Sequence, residues 1–260
     1  MTGITSLNGL DLSYDELFYK IRSAGFGSVL LWWDDSEKGT RGERAASARK
    51  NGLVIENAHA STADLNSIWL DGDGDRVIEE LMRELYDCAK YEIGTMVVHL
   101  TKGDNPPGIN TLGMSRIERL IKLSDDLGVK LAFENMRVLT HIKYILENYP
   151  SPLIGMCYDS GHEHFWTPGI DWLSLYGDRV FAIHLHDNFG DCDEHMIPYD
   201  GTADWDRIAK GVASSAYSGT ITVECEHEKS PLYRNITFDD FLKKAVGVAE
   251  KLEKKIRPLA

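Results

Sequence analysis

The sequence alternates short apolar runs with longer amphipathic stretches, and this alternation repeats eight times along 260 residues. The apolar runs have the length and composition of strands that are buried on both faces, whereas the amphipathic stretches place apolar residues at helical spacing. The predicted strands are residues 3–7, 26–33, 53–60, 95–100, 130–135, 154–159, 180–186 and 220–226. The predicted helices are residues 14–23, 41–51, 75–91, 115–127, 138–148, 171–175, 204–212 and 238–252.

Eight strand–helix cycles in a chain of this length predict an α/β protein with a (β/α)8 TIM barrel fold. No linker or low-complexity stretch interrupts the pattern, so we expect a single domain over residues 1–260. A doubly wound open sheet is the alternative that the same alternation allows.

The chain carries a formal net charge of −13. Binding to a nucleic acid depends on Lys and Arg side chains that neutralise phosphates, so we do not expect a nucleic-acid partner. The N-terminus lacks the basic and apolar segments of a signal peptide, and no apolar run is long enough for a membrane span. Together with four scattered cysteines that form no C-x-x-C pair, these features predict a cytoplasmic protein that acts on a small molecule. Assembly into a homo-oligomer stays open.

Side chains that bind metals follow six consecutive predicted strands, at the end of a barrel where active sites lie. They are His59, His99, Glu134, Asp159 with His162, His184 with Asp193 and His195, and Glu224. Glu134 and Asp159 end apolar strands, where a buried carboxylate is costly without a counter-charge. Neutral imidazoles and ionised carboxylates are natural ligands of a divalent cation. The sequence therefore predicts a metal site at this rim.

Five short motifs carry a family resemblance: AFEN at 132–135, DSGH at 159–162, HLHD at 184–187, DEH at 193–195 and ITVE at 221–224. With them the chain resembles the xylose isomerase-like TIM-barrel superfamily of sugar (phosphate) isomerases, epimerases and endonuclease IV. In the sugar-acting branch one divalent ion is held by four residues, which the resemblance places at Glu134, Asp159, His184 and Glu224. The endonuclease IV branch adds further ligands, which match His59, His99, His162, Asp193 and His195.

The strand pattern leaves two of these ligand assignments open. His186 and Glu226 lie two residues from His184 and Glu224, on the same strand face. We prefer His184 because it precedes Asp187 in an H-L-x-D pattern, and Glu224 because it ends the apolar ITV run. Either choice is wrong if the strand is displaced by one pleat.

The resemblance implies a metal-dependent sugar isomerase or epimerase that uses Mn, Mg, Co or Zn. Glu134 and Glu224 would exchange a proton with a ketose or related sugar through an enediolate intermediate. The alternatives are a multinuclear zinc phosphodiesterase of the endonuclease IV kind and a metal-dependent dehydratase or lyase on the same barrel. The loop IPYDG at 197–201 departs from the family's usual P-G-x-G, so the resemblance does not give the substrate.

Four further residues are candidates for substrate binding. His162 follows the sixth strand, and Arg137 and Lys102 are the basic residues close to strand ends. The tryptophans in or beside rim loops are Trp32, Trp33, Trp69 and Trp166, and we assign Trp33 to packing on the apolar face of a sugar. At least half of these four are expected to be core residues, since tryptophan is highly buried on average. No cationic phosphate pocket stands out in the sequence, which favours a free sugar.

Overall fold

A computed structural model gives the fold for residues 1–8, 11–34 and 39–257. The parts of the predicted 1–260 domain at 9–10, 35–38 and 258–260 lie outside the described residues. The strands are β1 (Thr2–Thr5), β2 (Ser28–Trp32), β3 (Val54–His59), β4 (Thr95–Val98), β5 (Lys130–Glu134), β6 (Ile154–Asp159), β7 (Val180–His184) and β8 (Ile221–Val223). The helices are α1 (Tyr14–Ala24), α2 (Arg41–Lys50), α3 (Gly74–Lys90), α4 (Thr111–Leu127), α5 (Leu139–Asn148), α6 (Ser160–Trp166), α7 (Trp172–Tyr176), α8 (Trp205–Ser214) and α9 (Phe238–Ile256).

The eight strands form a closed parallel barrel. Strands β1 to β7 pair in chain order, and β8 pairs with β1. The remaining seam between β7 and β8 is bridged by Leu185, whose N–H donates to the Thr222 carbonyl at 3.0 Å and whose carbonyl accepts from the Glu224 N–H at 3.0 Å. The prediction of a single-domain TIM barrel is therefore confirmed, and closure excludes the doubly wound sheet, which has two free edges.

The barrel strands bury both faces. Residues such as Met96 and Phe133 belong to the large cluster that packs against the helices. Residues adjacent in the chain to members of that cluster form a separate buried cluster, which contains Val97, Ala132, Cys157 and Ala182. Since successive side chains in a strand point to opposite faces, this second cluster fills the barrel interior.

Local capping defines where several helices begin. Ser13 and Glu16 form a capping box at α1, and Thr40 and Glu43 form another at α2, so each pair satisfies free backbone N–H groups. The Asp159 side chain caps α6 and thus joins the end of β6 to a helix over the barrel mouth. No helix within the described ranges combines the length and apolar character needed to cross a membrane.

Candidate metal centre

The candidate site is the layer of side chains directly above the barrel's interior cluster. Each of four residues of that cluster is followed, two positions later, by a side chain that can bind a metal. The pairs are Val97 and His99, Ala132 and Glu134, Cys157 and Asp159, and Ala182 and His184. A period of two keeps these four side chains pointing inward. The small residues below leave room for ligands at the centre of the barrel.

One group of four lies close enough to share an ion. The polar atoms of this group lie within 4.8 Å of one another, and its members are Glu134, Asp159, His184 and Glu224. Nδ1 of His184 is 3.5 Å from a Glu134 carboxylate oxygen and 3.4 Å from one of Glu224. All four side chains are buried. The choice of His184 and Glu224 over their neighbours thus yields a compact group, which we call the quartet.

The quartet is polar, buried and short of partners. Oδ2 of Asp159 and both ring nitrogens of His184 form no hydrogen bond among the described residues. Burial and the nearby charges of Glu134 and Asp159 raise the pKa of Glu224 well above its ordinary value. Burial also acts to raise the pKa of Glu134, but the adjacent His99 and His184 hold it well below the usual range. A divalent cation would satisfy the free lone pairs and relieve the crowding of three carboxyl groups.

A second group lies beside the quartet and contains His162, His186, Asp193 and His195. The rings of His186 and His195 stack at 4.1 Å between centroids. Nε2 of His195 is 3.2 Å from Asp193 Oδ2. His195 has a φ of 47°, a left-handed conformation that is uncommon for a residue with a side chain. His186, the alternative to His184 as a ligand of the first ion, thus belongs to the second group. Its Nε2 also lies 3.0 Å from Asp159 Oδ1.

A third group shares Glu134 with the quartet and adds His59 and His99. Nε2 of His99 and Nε2 of His59 lie 3.0 and 3.2 Å from the same Glu134 oxygen. Nδ1 of His59 contacts the Ala60 carbonyl at 2.9 Å. A backbone carbonyl at Nδ1 favours the tautomer that leaves Nε2 free to bind a metal. Burial lowers the pKa of His99 to about 4, so its imidazole is neutral at pH 7.

Hydrogen bonds fix the backbone around these groups. The Asn135 amide donates to the Asp159 carbonyl at 2.8 Å and accepts from the Asp159 N–H at 2.7 Å, which ties the ends of β5 and β6 together. The buried Asp187 carboxylate accepts from three backbone N–H groups and from the Trp205 indole at 2.6 Å. It anchors the loop 188–203 that carries Asp193 and His195.

The groups open into one cavity of about 360 Å³. Its wall includes the predicted substrate-binding residues His162, Arg137 and Lys102. Two opposed aromatic faces also line it: the Trp32 ring stacks on His59 with centroids 4.4 Å apart, and Trp166 stacks on His162 at 4.2 Å. The cavity therefore combines a polar floor with flat apolar walls, which suits a sugar.

The assignment of Trp33 to the substrate site is wrong. Trp33 is 0% exposed and its indole donates to the Glu84 carbonyl at 3.1 Å. Trp32 pairs with His59 between β2 and β3, so its side chain is the one that reaches the cavity. Strand alternation turns the adjacent Trp33 into the packing around α2 and α3.

Sequence reasoning also missed Lys229, which lines the cavity three residues after Glu226. Lys229 lies in the loop that follows β8, beyond the predicted end of that strand at Glu226. The strand pattern does not indicate it, whereas its position in a βα loop on the active-site side of the barrel does.

The donor set of the quartet fits a divalent metal. One imidazole and three carboxylates suit Mn, Co or Zn, and the oxygen-rich composition also admits Mg. The second and third groups contain more imidazole, which favours Zn.

Comparison with known proteins identifies relatives of the chain. The sequence profile described as "xylose isomerase-like TIM barrel" matches residues 18–252. The uncharacterized protein y4fM of Sinorhizobium fredii is 34% identical over 142 residues, which are 54% of this chain and 43% of that protein. The chain thus matches less than half the length of that relative.

Solved structures share the whole architecture. A D-tagatose 3-epimerase-like protein superposes with a TM-score of 0.74 at 17% identity and covers 99% of this chain and 100% of its own. D-psicose 3-epimerase from Clostridium cellulolyticum H10, solved with D-tagatose, gives a TM-score of 0.75 at 14% identity and covers 98% of both chains. At these identities the likeness establishes the fold.

Proposed function

The chain belongs to the xylose isomerase-like TIM barrel family, and from that premise we propose that it is a divalent-metal-dependent sugar isomerase or epimerase. The metal ligands are the quartet, and the substrate is a ketose or related sugar. The observation that carries the proposal is the convergence of four buried ligand groups within 4.8 Å. The likeness of the fold to enzymes named as sugar 3-epimerases supports the same reaction class.

When bound, the metal supplies Lewis-acid polarisation of a substrate carbonyl and thereby acidifies the neighbouring C–H group. Glu134 and Glu224 extend from β5 and from the end of β8, on different sides of the barrel mouth. One of them removes the proton from carbon and the other returns a proton. Return to the opposite face gives an epimer, whereas return to the adjacent carbon gives an isomer.

Other residues of the cavity position the sugar. His162 lies within reach of the floor, where its Nδ1 is 3.0 Å from Glu134 Oε1, and it orients a substrate oxygen. Trp32 and Trp166 pack against the apolar face of the ring and keep water from the reacting carbons. Arg137 and Lys102 bind polar groups at the mouth of the cavity.

The test combines metal content with solvent-deuterium incorporation into ketoses in D2O. We expect Glu134→Gln to reduce deuterium incorporation by about 100- to 10,000-fold, since it removes an acid–base group and a ligand. Glu147→Gln on the exposed face of α5 is the matched control and should leave the rate unchanged. Full activity in Glu134→Gln would refute the assigned role of Glu134.

A second candidate is a multinuclear zinc phosphodiesterase of the endonuclease IV kind. It is favoured by one specific observation: two further ligand groups flank the quartet, and one of them shares Glu134. The net charge of −13 disfavours a DNA duplex as substrate. One metal per chain supports the isomerase, whereas two or three Zn per chain with cleavage of abasic-site DNA would replace it by the phosphodiesterase.

A further inference from the structure

Three cationic side chains line the same cavity as the candidate metal groups. They are Lys102, Arg137 and Lys229, from the loops after β4, β5 and β8. The chain as a whole has 41 acidic and 28 basic residues. The same wall carries four carboxylates, which belong to Glu134, Asp193, Glu224 and Glu226. Lys102 and Arg137 come from the neighbouring loops after β4 and β5, whereas Lys229 lies beside Asp193 and Glu226.

The guanidinium of Arg137 is held in a fixed orientation. Its carbon lies 3.6 Å from the centroid of the Trp166 ring, and its Nε donates to Asp104 at 2.9 Å. Among the described residues, this is the hydrogen bond that its side chain makes. The two terminal nitrogens remain available as the planar fork that binds phosphate or carboxylate oxygens in pairs.

The backbone of Lys102 is fixed from both sides by one amide. Its N–H donates to the Asn66 side-chain oxygen at 2.9 Å, and its carbonyl accepts from the Asn66 side-chain nitrogen at 2.7 Å. Its ammonium contacts only the Thr62 hydroxyl, at 3.4 Å, within the described part of the chain. The backbone of Lys102 is thus fixed, and the hydroxyl that its ammonium contacts does not neutralise its charge.

Arg137 and Lys102 occupy equivalent places in neighbouring loops. Val98 pairs with Phe133 between β4 and β5, so His99 and Glu134 follow at the same step. Lys102 comes three residues after His99, and Arg137 three residues after Glu134. The Arg137 guanidinium stacks on Trp166, and Trp166 stacks on His162, whose Nδ1 is 3.0 Å from Glu134 Oε1. The guanidinium is therefore separated from the metal groups by one stacked ring.

We propose that the substrate carries a terminal anionic group, a phosphate monoester or a carboxylate, bound by Arg137 and Lys102. Lys229 is not part of this subsite, because its ammonium lies 3.5 Å from Asp193 and 3.7 Å from Glu226 and these carboxylates offset its charge. The assignment of this group to a sugar rests on the proposed function, and it revises the free sugar that the sequence alone favours. The anion subsite itself is a property of the loops and does not need the metal.

Calorimetric titration with inorganic phosphate, and separately with acetate, tests the subsite on the full chain. We expect the metal-free protein to bind at least one of the two anions. Arg137→Met and Lys102→Met should each weaken that binding by about 10- to 100-fold, as the loss of a charge-assisted hydrogen bond predicts. Arg83→Met on α3 and Lys143→Met on α5, both exposed, are matched controls that should bind the anion as the parent chain does. Arg137→Lys keeps the charge without the fork and should recover part of the affinity.

The absence of anion binding by the metal-free protein, or equal binding by the parent chain and both methionine variants, would overturn the proposal. Melting curves of each variant show whether it is folded.

Deuterium incorporation then separates the two anion sources and the two hypotheses. The metal-loaded protein is compared on D-fructose, D-fructose 6-phosphate and D-fructuronate. Preference for the phosphate or the acid, with a raised KM in Arg137→Met, identifies the group that the subsite takes. Preference for D-fructose that both methionine variants retain contradicts the subsite. No incorporation into any of the three, with anion binding intact, counts against the proposed function and leaves the subsite supported.

Discussion

Replacement of Glu224 by glutamine is expected to stabilise the metal-free protein. Burial and the charges of Glu134 and Asp159 raise the pKa of the Glu224 carboxyl well above its ordinary value of 4.5. The fold therefore holds this proton to a higher pH than the unfolded chain does. Glutamine has nearly the same shape and no charge, so the variant avoids the free-energy cost of taking up that proton.

The magnitude follows from the gap between the working pH and the ordinary pKa. From 4.5 to 7 is about 2.5 pH units, and each unit is worth about 1.36 kcal/mol, so about 3 kcal/mol is the upper limit of this cost at pH 7. For a chain of this size the corresponding upper limit of the rise in Tm is about 6–12 °C. The cost is absent below about pH 4.5 and grows as the pH rises, so the advantage of the variant must grow from pH 4.5 to pH 7.

Addition of metal should reverse the ranking. A dication at about 1,000 times its Kd stabilises the parent chain by about 4.1 kcal/mol, which exceeds the upper limit of about 3 kcal/mol, whereas the variant has lost a ligand. The assay is differential scanning calorimetry in EDTA and in excess Mn²⁺, at pH 4.5 to 7. Glu226→Gln is the control, since it changes the neighbouring carboxyl and should keep the metal-dependent rise. A lower Tm for Glu224→Gln in EDTA at pH 7 would refute the reasoning.

Two further substitutions probe the second ligand group and the loop that carries it. In Gly161→Ala the new Cβ would lie 1.9 Å from Cε1 of His186, so we expect a displaced ring, loss of any metal bound there and about 1–3 kcal/mol of destabilisation, measured by metal content and melting. Gly94→Ala, with nothing within 4 Å of its Cβ, is the control, and an unchanged metal content in Gly161→Ala would contradict the placement of His186. In Asp187→Ala four buried donors lose their acceptor, so urea unfolding should show a loss of more than about 3 kcal/mol. Hydrogen exchange should also quicken in residues 188–203, and unaltered exchange there would count against Asp187 as the anchor.

The barrel was predictable because its strands are buried on both faces. Runs such as those that form β5 and β6 carry apolar side chains without interruption, and this pattern is specific to parallel sheets covered by helices. The predicted strands 95–100 and 220–226 run past the observed ends at Val98 and Val223. Leu100 and Cys225 are still buried after the ladder of hydrogen bonds has ended, and an apolar composition does not show where the ladder ends.

Two helices differ from the prediction for local reasons. Helix α4 begins at Thr111 instead of Ser115, because the Asn110 side chain caps it by accepting from the Gly113 N–H at 2.8 Å. The start was not predicted because a glycine lies in the first turn, and glycine has a low helix propensity. Helix α6 was not predicted, because its seven residues are too few to show a helical period and its cap, Asp159, reads as the end of a strand.

The strand pattern predicted the candidate site as far as the strand ends, and the family resemblance indicated His162, Asp193 and His195 beyond them. Side chains at the ends of parallel strands must meet at one rim, so the grouping of Glu134 and Asp159 follows from topology alone. The choice between Trp32 and Trp33 depends on which face of β2 points into the barrel. Val29, Leu30 and Leu31 are all apolar and buried, so the sequence does not distinguish the two faces of this strand.

Leu185 connects the closure of the barrel to the candidate metal ligands. The residue that joins β7 to β8 stands between His184 and His186, and its carbonyl holds the N–H of Glu224. An ion bound by the proposed ligands would have to lose some of them before the seam opened. Metal occupancy would then be linked to the closure of the barrel wall, and a bound dication would stabilise the β7–β8 joint, which Leu185 makes within the described part of the chain.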